Sequence, residues 1–191
     1  MRRYNANHCF VLTGAMGAGK STILREMGRL GITVVDEPAR QILAEQRSIE
    51  GEGLPEKNEK LFSELLLSRA IFQYHQMIPM KTPVLFDRGI PDNMAYAEWF
   101  GLNVRVAERA AKTFRYHPKT FFLSGWKDIY VNDSERKMTF EQACQFGEMI
   151  KKIYQKLGYE IVTVPVGSPI SRARFIVQSI FDLVLFENNK K

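Results

Sequence analysis

Gly14-Ala15-Met16-Gly17-Ala18-Gly19-Lys20-Ser21 sets a glycine, four residues, then glycine, lysine and serine in one run. That spacing suits a polyphosphate. Glycines let successive backbone N–H groups curl close around a dense anion, and the start of a following helix adds donors and partial positive charge. In such a loop Lys20 reaches the β- and γ-phosphates, and Ser21 gives its hydroxyl to Mg²⁺. Gly14, Ala15, Gly17, Ala18, Gly19, Lys20, Ser21 and Thr22 are therefore the expected binding set for ATP or GTP with Mg²⁺. The motif needs a strand before it and a helix after it. Cys9 to Thr13 is a short apolar run, and Lys20 to Leu30 reads as a helix ending near Gly31.

Two more apolar runs end in charge. Val34-Val35 leads into Asp36-Glu37-Pro38-Ala39-Arg40. A strand-end acid of this kind can position and deprotonate an acceptor hydroxyl, or hold Mg²⁺-bound water. Glu37 is favoured over Asp36, and Arg40 is placed to meet a phosphate or to hold Glu37. Val84-Leu85-Phe86 ends in Asp87-Arg88-Gly89. Here Asp87 suits a metal-organising carboxylate, and Arg88 a bidentate phosphate clamp. Metal binding thus falls to Ser21 and Asp87, and chemistry to Lys20, Glu37, Asp87, Arg88 and a lid arginine.

The lid is read from Gly125 to Lys137, a polar irregular segment with Lys127, Arg136 and Lys137. Closure there excludes water that would compete for a γ-phosphate. Arg136 is its best candidate. Val166-Gly167-Ser168-Pro169 can line a base pocket, with Arg172 or Arg174 stacking or pairing nearby. The long helix Asn58 to Met77, with Tyr96 and Trp99, is a candidate for the acceptor side, though most of those aromatics read as core. His75 and His117 lack metal-ligand companions and read as structural.

The elements that must position these groups alternate. Strands are expected at Cys9–Thr13, Ile32–Val35, Val84–Phe86, Thr120–Leu123 and Tyr159–Val166. Helices are expected after Pro38, over Asn58–Met77, Asp92–Phe100 and Val104–Tyr116, from a Thr139–Gln142 capping box, and after Ser168-Pro169. Short apolar strands separated by helices imply a parallel α/β sheet covered on both faces, with ligands beyond the strands' carboxyl ends.

The chain has 191 residues, 45% of them hydrophobic, enough for a single domain with its own core. Its net charge of +6 favours acidic partners. The charge is spread, with no run of five like charges and no aromatic-basic stripe, which argues against a nucleic-acid binder. Cys9 and Cys144 read as reduced packing thiols. No signal core and no membrane-length apolar run occur, so a cytoplasmic protein without integral membrane association is expected. Neither sequence nor charge fixes an oligomeric state.

The loop, Glu37-Pro38-Ala39-Arg40, Asp87-Arg88-Gly89, the lid from Asp133 to Arg136, and Ser168 to Arg172 come in a recognisable order. Together they resemble the AAA-type P-loop domain family. That family is shared by the ribosylnicotinamide kinase half of NadR and by a GTP-binding, phospholipid-associated eukaryotic regulator. The resemblance implies a three-layer P-loop NTPase with a five-stranded sheet of order 2-3-1-4-5. It implies Glu37 as base and Arg88 as clamp, with Asp87 open to either the metal or the base role. Three functions compete on these grounds. One is a kinase acting on an unidentified small, nucleoside-like acceptor. The second is a nucleotide-binding regulator of a protein or phospholipid, and the third a kinase of nucleic-acid ends. The absence of an Asn-Lys-x-Asp run argues against an ordinary small GTPase.

Overall fold

The computed structural model describes residues 3–131 and 138–188. In chain order its elements are β1 (Tyr4–Asn5), β2 (Cys9–Gly14), α1 (Lys20–Arg29), β3 (Thr33–Val35), α2 (Pro38–Ser48), α3 (Glu59–Met77), β4 (Val84–Asp87), α4 (Ile90–Trp99), α5 (Arg105–Thr113), β5 (Phe114–Arg115), β6 (Lys119–Leu123), α6 (Phe140–Lys156), β7 (Glu160–Thr163) and α7 (Pro169–Asn188). A short 3₁₀ turn spans Lys127–Ile129.

Five strands form one sheet in the order β3-β4-β2-β6-β7. Every pairing in it is parallel. The central strand β2 shows why both faces are covered. Cys9 and Val11 pack on one side with Tyr74 of α3, Ile90 of α4, Ala111 of α5 and Phe146 of α6. Phe10 and Leu12 pack on the other with Ile23 and Met27 of α1 and Ile176 of α7. All four β2 side chains are buried, so the strand reads as an unbroken apolar run rather than an alternation. The result is the three-layer α/β arrangement expected from the sequence.

The helix starts follow local chemistry. Pro38 stands at the first turn of α2, where its missing N–H costs nothing. Asn58 caps α3 by accepting the Leu61 N–H at 2.9 Å. Thr139 and Gln142 form a reciprocal capping box on α6, and Ser168 accepts from Ser171 N–H at the start of α7.

Several boundaries differ from the sequence reading: among them, the helix expected over Val104–Tyr116 is Arg105–Thr113, because Phe114–Arg115 is drawn into a strand beside Tyr4–Asn5. The helix expected from Asp92 begins at Ile90, because Gly89 with Pro91 and Asp92 forms its N-terminal turn. The last strand is only Glu160–Thr163, an edge strand that leaves the sheet once its partner β6 ends. A second, two-stranded parallel pair of β1 and β5 is anchored by Tyr74, whose hydroxyl donates to the carbonyls of Tyr4 and Arg115.

Candidate functional site

The register of the sheet assembles the site. Leu12 of β2 faces Asp87 of β4, and Gly14 faces Leu123 of β6. The loop after β2 therefore rises between the ends of two hydrogen-bonded neighbours. Gly14 has φ +135°, and a Cβ there would run into the Leu123 carbonyl. Gly17 has φ +72°, with the Tyr130 ring 2.6 Å from where a Cβ would sit. These positions need glycine both for conformation and for space. From the opposite side, Gly147 of α6 comes within 3.1 Å of Ala15 at its own virtual Cβ, so helix and loop are in backbone contact.

Lys20 opens α1 and is buried. Its Nζ donates to the Ala15 carbonyl at 2.8 Å and to the Gly14 carbonyl at 3.4 Å. Burial pushes the ammonium down to about 8, and Arg88 adds to that, while Asp87 and Glu37 pull the other way. Ser21 and Thr22 follow on the exposed first turn of α1 and line the adjoining cleft.

Asp87 ends β4 and is also buried. Burial and the Glu37 carboxylate push it up to about 6, against the pull of Lys20 and Arg88. Its Oδ1 has no hydrogen-bond partner among the described residues. Arg88 turns out of the strand in a left-handed conformation, φ +64°, which is costly for a side chain with a Cβ. That turn carries the guanidinium back under the loop. Nη1 donates to the Gly14 carbonyl at 3.3 Å and meets Asp92 Oδ1 at 3.0 Å. Nε lies 3.1 Å from Glu37 Oε1, close enough for an ion pair but not aligned as a hydrogen bond. Burial opposes the Arg88 charge, but Glu37, Asp92 and Asp87 offset it and keep the group protonated.

Glu37 sits at the cap position of α2 without capping it. Its carboxylate turns to Arg88 instead and accepts from the Tyr96 hydroxyl at 3.4 Å. Arg40 is exposed on the cleft wall, so the ion pair to Glu37 comes from Arg88. Asp36 is exposed on the same wall.

Sequence reasoning missed Asp92. This carboxylate is 2% exposed. It accepts from Thr13 Oγ1, Arg88 Nη1, Gly89 N and the Tyr154 hydroxyl. Its signals were faint: an acid at the third position of a helix, four residues beyond an arginine. Thr13 and Tyr154 arrive from β2 and α6, which no local pattern announces.

On the other flank, Arg172 is buried and donates from Nη1 to the Ala18 carbonyl at 3.0 Å. Its guanidinium lies 5.9 Å from the Trp126 ring centre. Arg174 is exposed on α7 and does not line the cleft. Lys127 is exposed on the 3₁₀ turn. Arg136 and Lys137 lie outside the described residues. Trp99 packs against Phe146 in the core, whereas Tyr96 lines the cleft. His117 stacks on Phe10, and His75 packs against Tyr4 and Phe114.

A wide cleft of about 1110 Å³ joins these groups. It runs from Trp126, Ile129 and Arg172, across Gly17 to Thr22, to Asp36, Glu37, Gln73 and Tyr96. Anion donors thus occupy its middle and carboxylates one end. Among the described residues no helix is long and apolar enough to cross a membrane.

No curated protein matches the chain in sequence. Solved structures share the fold. NadR, solved in complex with NR, superposes with a TM-score of 0.66 at 15% identity, over 90% of this chain and 51% of that one. The chain therefore spans about half the length of NadR. Deoxyadenosine kinase from M. mycoides gives 0.63 at 13% identity over 92% and 99% of the two chains. Shikimate kinase from Acinetobacter baumannii gives 0.53 at 17% identity over 91% and 93%. The sequence profile of the AAA domain family matches residues 9–172, a span that runs from the first strand of the main sheet to the arginine at the far end of the cleft, and the chain belongs to that family.

Proposed function

We propose that the protein is a kinase that transfers the γ-phosphoryl group of ATP or GTP to a hydroxyl of a small, nucleoside-like metabolite. The observation that carries this reading is the convergence of Glu37, Asp87 and Arg88 with Lys20 in one cleft. A site that only held nucleotide and Mg²⁺ would need the loop and Asp87, but not Glu37 beside Arg88. A carboxylate at that place suits a second, hydroxyl-bearing molecule.

The loop fits a triphosphate because its glycines leave backbone where side chains would block approach. Lys20 would hold the β- and γ-phosphates from below. Arg172 and Trp126 flank the end of the cleft where a base would lie. Mg²⁺ fits through Ser21 and Asp87, whose buried Oδ1 lacks a partner among the described residues. Among the described residues no cluster of three or more His, Cys, Asp and Glu could hold a metal, in keeping with an ion bound largely by phosphate and water. When bound, Mg²⁺ neutralises charge on the transferred group.

Glu37 is placed to take the proton of the acceptor hydroxyl. It is less buried than Asp87, is held by Arg88 as the exposed Asp36 is not, and borders the acceptor side of the cleft. Arg88 orients it and supplies fixed positive charge near the reaction. The attacking oxygen then bonds to the γ-phosphorus, the bond to the β-phosphate oxygen breaks, and the nucleoside diphosphate leaves.

The test is a metabolite-library screen for acceptor-dependent ADP or GDP release, with Lys20→Ala as control. Release with at least one hydroxyl compound, lost in the control, is the expected result. Tight nucleotide binding with no acceptor-dependent release across the library would instead favour a regulatory nucleotide-binding module.

A further inference from the structure

Below the acceptor end of the cleft a second, narrower pocket opens between α3 and α4. The two share Glu37, Gln73, Asp87, Arg88 and Tyr96, so one leads into the other. The enclosed part of the inner pocket holds only about 20 Å³. That admits one small polar group, not a ring.

Asn93 of α4 lines this pocket and is 4% exposed. Its Nδ2 donates to the Ile90 carbonyl at 3.3 Å. This fixes the amide's orientation, because the reverse setting would press two oxygens together. Oδ1 is then committed as an acceptor, and it has no partner among the described residues. A buried amide oxygen left unpaired is costly, so what enters the pocket should bring a donor. Charge narrows the choice further. The inner pocket is lined by three carboxylates, Glu37, Asp87 and Asp92, against the single guanidinium of Arg88, which Glu37 and Asp92 already engage. An anionic acceptor meets repulsion there with no free cation among the described lining residues to hold it.

Resting on the kinase reading above, we infer that Asn93 selects the acceptor. It takes a hydrogen bond from an N–H or O–H group on the edge of an uncharged ring compound. The ring body stays in the cleft beside Tyr96, and only the donor-bearing edge enters. Asn93 acts as a specificity residue and touches no reacting atom.

The test is titration calorimetry on the full chain with ATP, with the four common nucleosides, with uncharged counterparts whose base-edge N–H is replaced by N-methyl (the ring N–H of guanosine and uridine, both hydrogens of the exocyclic amine of adenosine and cytidine), and with shikimate as an anionic hydroxylated ring. The wild type is expected to bind at least one nucleoside about tenfold more tightly than its methylated counterpart, the worth of one hydrogen bond, and to bind shikimate weakest. In Asn93→Leu that preference should vanish while ATP affinity holds. Asn93→Ser, which keeps an acceptor oxygen without setting a second oxygen against the Ile90 carbonyl, should restore part of it. Retained ATP binding shows that each variant is folded. A preference that survives in Asn93→Leu, a shikimate affinity above that of every nucleoside, or no nucleoside binding at all overturns the inference. The first of these means that water fills the pocket or another group reads the ring. Acceptor-dependent ADP release on the same samples keeps the two readings apart: turnover indifferent to Asn93 sinks this inference alone, whereas a library with no turnover sinks the kinase reading.

Discussion

Arg88 Nη1 lies 3.0 Å from Asp92 Oδ1 across the start of α4, with both side chains almost fully buried. The other lone pairs of Asp92 are filled by Thr13, Gly89 and Tyr154, so β2, α4 and α6 meet on one carboxylate. Asp92→Asn leaves a buried guanidinium undercompensated and turns an amide N–H₂ toward donors. The expected cost is about 3 kcal/mol of unfolding free energy, read from urea titration. Tyr154→Phe removes one hydrogen bond to a charged group and should cost about 2 kcal/mol. If Asp92→Asn unfolded within about 0.5 kcal/mol of the wild type, the network would not be what fixes Arg88.

The site's two perturbed groups set a pH window. Asp87 must be ionised to hold a cation, and Lys20 protonated to hold phosphate. With Asp87 at about 6 and Lys20 at about 8, kcat/KM should be bell-shaped with limbs near those values. Asp87→Asn should abolish the acid limb along with most activity.

The same shifts bear on stability. Asp87 is raised from 3.8, so the folded chain keeps a proton the unfolded chain has released. Its contribution is fully present below about 3.8 and is lost as pH rises through about 6. Lys20 is lowered from 10.5, so its contribution is present above that value and is lost as pH falls through about 8. Urea midpoints measured from pH 4 to 7 on wild type and Asp87→Asn check the first slope, which only the wild type should show.

Lys20→Ala should weaken ATP binding about 100-fold, since it removes a charge-assisted contact to phosphate. Gly17→Ala should weaken it as well, by a different route. The new methyl meets the Tyr130 ring and must also sit at φ +72°. Adding Tyr130→Ala relieves only the contact, so the double variant should recover part of the affinity and keep a deficit of about 1–2 kcal/mol from the backbone. Full recovery would show that conformation matters little at Gly17.

Much of this was legible in one dimension because it is local. The phosphate loop joins consecutive residues, and Glu37 and Asp87-Arg88 announce themselves as charges ending apolar strands. The caps at Thr139 and Ser168 concern groups three residues apart. What escaped depends on distance in sequence. Asp92 gains its meaning from Thr13 and Tyr154, which lie 79 and 62 residues away. Tyr130 comes beside Gly17 from the segment after β6, far along the chain, and the β1–β5 pair is two residues per strand, too short for any periodicity. The left-handed turn at Arg88 could not be foreseen either, since arginine has no preference for it.

The pairing of Leu12 with Asp87 has a consequence for how the protein comes apart. The Arg88 amide donates to the Leu12 carbonyl at 3.0 Å and extends the central ladder by one rung into the site. Asp87 and the Arg88 guanidinium are thus fastened to interior strands, not to a segment that can fray, whereas Glu37 follows the edge strand β3. Amide hydrogen exchange at Arg88 should be as slow as at Val11, tracking global opening. Residual function should vanish at the same denaturant concentration as the sheet itself.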